Sequence, residues 1–281
     1  MYQRTWTATD GCGNTALCTQ TISYLPDVTP PVISTCATSQ TANVNSNCQA
    51  LVPDFTTLVV ASDLCSGISS INQTPLPNTV VGPGNHTITL TVADACGNTS
   101  SCNTSFNVTD VSAPSITCPA NVTVNTDPNY CTASAVALGT PTGVSDNCSG
   151  VGVPYNNGMP VYPIGNTTVI WSVVDASGNT STCNQTVTVH DNQPPLINCP
   201  DNPCISCIVP VAFSRNTNSG CTYIIAGSEF DATALDLCSS VTLTWSVSGA
   251  TTATGSGSMA GAALNSGFST ITWTATDGSS N

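Results

Sequence analysis

Residues 167–189 read "TTVIWSVVDASGNTSTCNQTVTV", and the fold follows from them. Alternate positions are apolar up to Asp175, a Ser-Gly-Asn turn intervenes, and the alternation resumes to Val189. A period of two puts successive side chains on opposite faces of an extended strand, so the stretch predicts a β-hairpin with one face turned to a core. No segment of the chain shows a useful helical period.

The same phrase recurs. "TWTATDGCGNTALC" occupies 5–18, "TLTVADACGNTSSC" 89–102, and "TWTATDGSSN" 272–281. Their aspartates, Asp10, Asp94, Asp175 and Asp277, are 84, 81 and 102 residues apart. Two further landmarks keep the same order. "DVTPPVI" (27–33), "DVSAPSI" (110–116) and "DNQPPLI" (191–197) open each unit, and "SDLCSG" (62–67), "SDNCSG" (145–150) and "LDLCSS" (235–240) mark its middle. A fixed order of landmarks at a fixed spacing is the signature of tandem modules. The expected units are 26–109, 110–190 and a divergent 191–281 lacking its last strand, preceded by the final hairpin of an earlier module at 1–25. Trp6, Leu90, Trp171 and Trp273, with Ala8, Val92, Val173 and Ala275, share one strand face and are expected in the core. Units of about 80 residues with short alternating strands and Pro/Gly/Asn turns predict an all-β fold. Tandem immunoglobulin-like or fibronectin-like β-sandwich modules in a rod are the expected architecture. The Gly/Ala/Ser stretch at 249–263 reads as a flexible loop.

Composition narrows the chemistry. The 281 residues hold 15 acidic side chains against Arg4 and Arg215, with no lysine and a net charge of −13. Phosphate and anionic lipid both need clustered cations, so nucleic-acid binding is excluded as an expectation and docking on anionic membranes with it. No run of 18 apolar residues reads as a membrane-spanning helix. Sixteen cysteines point to disulfides and an extracellular, oxidising setting, and without lysine no Lys–Asn isopeptide bond is available as a staple. "CISC" at 204–207 has the spacing of half a zinc site but lacks a recognisable second pair. His86 and His190, 104 residues apart, have no identifiable nucleophile, and Glu229 is the sole glutamate, so no enzyme is expected.

The order "DVSAPSITCP" (110–119), "DNCSG" (146–150), "GNTTVIW" (165–171) and "DASGNTSTC" (175–183) resembles the hyalin repeat (HYR) module. Residues 110–190 match best, 26–109 well, 1–25 the last hairpin, and 191–281 at its two ends. The resemblance implies a sandwich fold and a place in extracellular adhesion proteins. Long cysteine- and threonine-rich runs of such modules resemble giant surface proteins of gliding, type IX-secreting Bacteroidota. It also implies a bond from the first strand to the last, giving Cys36–Cys102 and Cys118–Cys183, with Cys131–Cys148 as the remainder of the second unit. Cys48, Cys65 and Cys96 compete for one further bond in the first unit.

Ten of the 15 acidic residues fall at three repeating positions. Asp27, Asp110 and Asp191 precede the proline pair, Asp63, Asp146 and Asp236 sit in the mid-module loop, and Asp10, Asp94, Asp175 and Asp277 at the hairpin turn. In an immunoglobulin-like sandwich these segments share one pole. Two readings stand: the carboxylates cap turns through backbone hydrogen bonds, or they converge on Ca²⁺ at each module junction. A stalk or spacer is the leading functional expectation, with neighbouring modules of the same or adjacent chains as partners. Recognition of surface glycans or proteins, and self-assembly into a filament by strand addition through the hairpin at 1–25, are the other classes.

Overall fold

A computed structural model of the chain describes residues 2–148, 150–200 and 213–281. The chain is all-β, in tandem sandwich-like modules, with one short 3₁₀ turn at Thr56–Leu58 among the described residues. Among the described residues no helix is long and apolar enough to cross a membrane. Two compact units form: residues 1–114 with 146–151 and 175–179, and residues 115–145 with 152–174 and 180–281. Residues 146–151 and 175–179 belong to the first unit, in which Cys148 is bonded to Cys48 and Asn179 to the Asp110 carbonyl.

In the first unit a four-stranded sheet runs in the order Gln40–Asn43, Thr99–Thr109, Gly84–Asp94, Ile68–Thr74. The long hairpin at its centre pairs Leu90 with Cys102, and Gln40–Asn43 lies parallel to the end of Thr99–Thr109. Two short pairs, Val32–Thr35 with Val60–Ser62 and Ala50–Leu51 with Val80–Val81, complete the module. Ile88, Leu90, Val92, Phe106 and Val108 of the sheet bury against Val52 and Phe55, whose ring meets Phe106 edge-on at 6.4 Å. Burial alternates along Gly84–Asp94 as the period of two requires.

The second unit repeats this plan in Val122–Asn125, Thr180–His190, Gly165–Val174 and Tyr155–Asn156. Trp171, Val169, Val187, Val189 and Tyr162 form its core. Gln185 is wholly buried there: its Oε1 accepts the Trp171 indole N–H at 3.0 Å, and its amide donates to the Ala120 and Leu138 carbonyls at 2.7 and 2.8 Å. In the first unit the buried Gln73 likewise accepts the Phe55 amide and donates to the Pro53 and Pro75 carbonyls. The third repeat carries the three-stranded sheet Ala253–Ser256, Thr242–Gly249, Ser269–Thr276.

Two expectations need correction here. The 249–263 stretch is not a flexible loop: Ala253–Ser256 pairs with Thr242–Gly249, and Met259 is fully buried. The glycine content has a packing reason, since a Cβ on Gly255 would lie 2.3 Å from the Trp245 ring. Trp6 and Ala8 are not core residues either. Leu90, Val92, Trp171 and Val173 are buried and Trp273 and Ala275 half-buried, but Trp6 is 53% exposed. Every residue of the hairpin Tyr2–Thr9/Thr15–Ile22 is exposed, because among the described residues no second sheet covers its apolar face. Trp6 is instead covered in part by the Arg4 guanidinium, 4.2 Å from its ring.

Candidate metal centre

The hairpin turns are built alike. Asp94 Oδ1 accepts the Cys96 and Asn98 amides at 2.9 and 2.8 Å, and its Oδ2 accepts the Asn98 side-chain amide at 2.7 Å. Asp175 does the same with Ser177 and Asn179, and Asp277 with Ser279 and Asn281. The turn needs one left-handed residue, filled by Gly97 (φ 92°) and Gly178 (φ 91°) and by Ser280 (φ 70°) in the last copy. The asparagine then reaches across to the linker: Asn98, Asn179 and Asn281 donate to the carbonyls of Asp27, Asp110 and Asp191 at 3.1, 3.2 and 3.1 Å. One Asp-x-x-x-Asn pair therefore closes the turn and pins the incoming segment.

The other two aspartates of each module cap their own loops. Asp63 Oδ1 accepts the Cys65 and Ser66 amides, Asp236 Oδ1 those of Cys238 and Ser239, and Asp146 Oδ1 that of Cys148. Asp27, Asp110 and Asp191 accept the amides two residues on, from Thr29, Ser112 and Gln193. Turn capping thus accounts for all nine carboxylates, and seven of them also lie close to one another.

Asp27, Asp63 and Asp94 each place an oxygen within 4.8 Å of the others. Asp110 and Asp146 meet beside Cys148, and Asp191 and Asp236 beside Cys238, at the same spacing. Asp175 and Asp277 stay outside those groups. The clusters differ chemically. The Cys148 and Cys238 sulfurs are in disulfides, so neither is an anionic ligand. Ser177 and Ser279 hydroxyls reach Oδ2 of Asp110 and Asp191 at 3.4 and 3.5 Å, whereas Cys96 stands at that position in the first module. Asp27 Oδ2 is accordingly buried without a donor. Three carboxylates, one with an orphaned oxygen, form an oxygen-only donor set that fits a hard divalent cation.

Electrostatics favour the ionised forms. The Thr29 amide holds the Asp27 carboxyl below its ordinary value. At Asp94 and Asp175 burial pushes upward, but the hydrogen bonds from Asn98 and Asn179 outweigh it and the carboxyls end below the ordinary value. No cation offsets the charge: the ion pair among the described residues is Arg215 with Glu229 at 3.2 Å, and Glu229 is also bonded to the Tyr223 hydroxyl. His86 Nε2 sits 2.8 Å from the Gly82 carbonyl, a turn contact.

The sulfurs pair as follows. Cys36 bonds Cys102 and Cys118 bonds Cys183, linking first and last strands within a repeat with Cα atoms 6.1 and 5.7 Å apart. Cys131 does not meet Cys148. Cys148 bonds Cys48 and Cys131 bonds Cys238, at sequence separations of 100 and 107, so each bond joins one repeat to the next. The reason is position: Cys131 ends a turn opening the strand Thr132–Ser134, while Cys148 lies in the Asp146 loop with Asp110. The only sign of this in the sequence is that the turn cysteine and the loop cysteine each recur once per repeat. "CISC" lies outside the described residues.

The HYR domain family matches residues 26–109 and 109–189. Among curated proteins, hyalin of Strongylocentrotus purpuratus is 30% identical over 252 residues, which are 85% of this chain and 19% of that protein. Hyalin of Lytechinus variegatus is 29% identical over 211 residues, 69% of this chain and 38% of that protein. The chain therefore spans less than two-fifths of either relative. Among solved structures, mouse cadherin-23 EC22-24 aligns with a TM-score of 0.35 at 15% identity, covering 89% of this chain and 94% of that one. Protocadherin gamma B7 extracellular cadherin domains 1-4 align with a TM-score of 0.33 at 9% identity, covering 95% and 80%. Likenesses of that size have no bearing on function.

Proposed function

The chain belongs to the HYR domain family, and from that premise we propose that it is a structural segment, a stalk or spacer, of a long extracellular surface or adhesion protein. The observation that carries this reading is the pair of disulfides Cys48–Cys148 and Cys131–Cys238, each bridging consecutive repeats. A chain laced both within and between modules resists extension, and bonds of this kind persist in oxidising compartments. The bacterial gliding-adhesin setting is the narrower form of the same proposal. Stretching single molecules tests the mechanical part. With Cys36–Cys102 and Cys118–Cys183 closed, residues 36–102 and 118–183 stay locked; reduction releases on the order of 200 Å from each. Identical force–extension curves before and after reduction would overturn the reading.

A second reading has its own observation, the unpartnered Oδ2 of Asp27 within the Asp27–Asp63–Asp94 group. Calcium bound there would join three carboxylates that otherwise repel and would stiffen the proline-restrained segment at 27–33. The Asp110–Asp146 and Asp191–Asp236 pairs have two carboxylates each and are the weaker candidates. The melting temperature is expected to rise in millimolar calcium and fall in EDTA, and Asp27→Asn is expected to abolish the difference. A melt indifferent to both additions removes calcium from the account and leaves turn capping alone.

A further inference from the structure

The bonds Cys48–Cys148 and Cys131–Cys238 follow one rule. One partner ends a turn that opens a short strand. The Asn45 amide donates to the Gln49 carbonyl at 2.7 Å around Cys48, and the Asp127 amide to the Thr132 carbonyl at 2.8 Å around Cys131. The other partner is the cysteine of the next repeat's Asp-x-Cys loop, whose amide donates to Asp146 or Asp236 Oδ1 at 3.1 or 2.7 Å.

Two further cysteines occupy these same positions without a disulfide. Cys221 ends a turn closed by the Asn218 amide on the Thr222 carbonyl at 2.8 Å. Its amide donates to the Asn218 carbonyl at 3.0 Å, as that of Cys48 does to Asn45 at 3.0 Å. Its φ is 56° against 58° at Cys48. Asn218 Oδ1 accepts the Gly220 and Thr222 amides at 2.9 and 3.1 Å, and Asn45 Oδ1 accepts those of Asn47 and Gln49 at 2.9 and 3.1 Å. Cys65 sits in the first Asp-x-Cys loop, its amide 2.9 Å from Asp63 Oδ1, with Ser66 placed as Ser239 is in the third. Cys148 is 9% exposed, and the neighbouring Asn147 donates to the Asn45 carbonyl at 3.1 Å. At the first loop Cys65 is exposed and Leu64 beside it fully so.

We propose that Cys65 and Cys221 are the two half-sites of this same inter-repeat disulfide. Cys221 takes an Asp-x-Cys cysteine from a further HYR module, and Cys65 takes a turn cysteine from another. The inference rests on the two observed bonds and the module repeat, not on the stalk reading. The remaining exposed thiols lack such a precedent. Cys12 and Cys96 stand where other copies carry Ser177 and Ser279, and Cys18 corresponds to Cys102 and Cys183, which bond within a repeat. The oxidant is a low-molecular-weight disulfide such as oxidised glutathione. One thiolate displaces a thiolate from it, and the second thiolate then attacks the mixed disulfide. One protein S–S bond forms, the oxidant's S–S bond is reduced, and the two thiol protons end on the two released small thiols.

Both half-sites lie in this chain, so a second copy supplies the complement in a test. The purified chain carrying Cys12→Ser, Cys18→Ser and Cys96→Ser is incubated with oxidised glutathione and run without reductant. A ladder of dimers and higher multimers is expected, with a linked peptide joining Cys65 to Cys221. Adding Cys65→Ser or Cys221→Ser stops each preparation at monomer, while mixing the two gives dimer and nothing larger, which also shows that both variants fold. A ladder that survives Cys65→Ser, a linked peptide joining other cysteines, or thiols at 65 and 221 that stay alkylatable after oxidation would overturn the proposal. In the parent protein, extracted with thiols blocked, the linked peptides tell the two sources of the complement apart. A repeat of the same polypeptide, earlier for Cys65 or later for Cys221, leaves the mass unchanged, and another chain raises it.

Discussion

Asp10, Asp94, Asp175 and Asp277 each accept two backbone amides on one oxygen and an asparagine side chain on the other. All four carboxyls are held below their ordinary value of 3.8. A depressed carboxyl contributes stability that is complete above 3.8 and is lost as pH falls through the lowered value. Thermal melts are therefore expected to hold steady down to about pH 4 and to drop below it. Melting temperatures that keep rising between pH 4 and pH 2.5 would contradict this. The turn itself was legible in the sequence, because Asp, Gly and Asn at fixed offsets act through bonds only two to four residues long. Whether Asp27 Oδ2 finds a donor was not. It depends on Cys96 standing where Ser177 and Ser279 stand elsewhere, on a segment some 70 residues away.

At the scale of the element, a buried glutamine amide in each of the first two modules fastens a strand of the sheet to neighbouring segments. Gln185, on Thr180–His190, ties the Trp171 indole to the carbonyls of Ala120 and Leu138. Gln185→Ala would leave two part-buried carbonyls and a buried indole N–H unmatched. A loss on the order of 3 kcal/mol is expected in chemical denaturation, since each unsatisfied buried group costs about 1–3 kcal/mol and some regain water. A loss below about 0.5 kcal/mol would show that solvent reaches these groups. Alternation predicted the long hairpins and the buried face of Gly84–Asp94 and Gly165–Val174, but not the exposure of the first hairpin. Tyr2–Thr9 carries the same pattern as Gly165–Val174 and is exposed throughout, because burial requires a second sheet and not only an apolar face. The third repeat misled in the opposite sense. A glycine-rich stretch reads as a loop until Trp245 is seen to occupy the space a side chain at Gly255 would need.

At the scale of the whole molecule, covalent connectivity is the main result. Closing loops of 66 and 65 residues stabilises each module by about 4 kcal/mol on the chain-entropy account, and two further bonds cross from one repeat to the next. The amino-acid sequence by itself determined that the chain is all-β, that it repeats, and where its long hairpins and their turns fall. These follow from alternation and from glycine, proline and Asp/Asn chemistry acting over a few residues. Only the tertiary structure decided which sulfurs meet and which carboxylates converge. Cys131 and Cys148 are close in the chain and belong to one repeat, yet each bonds a cysteine about 100 residues away. A disulfide needs Cα atoms within about 7 Å and side chains facing one another. Local sequence sets neither condition, and the packing of distant segments sets both.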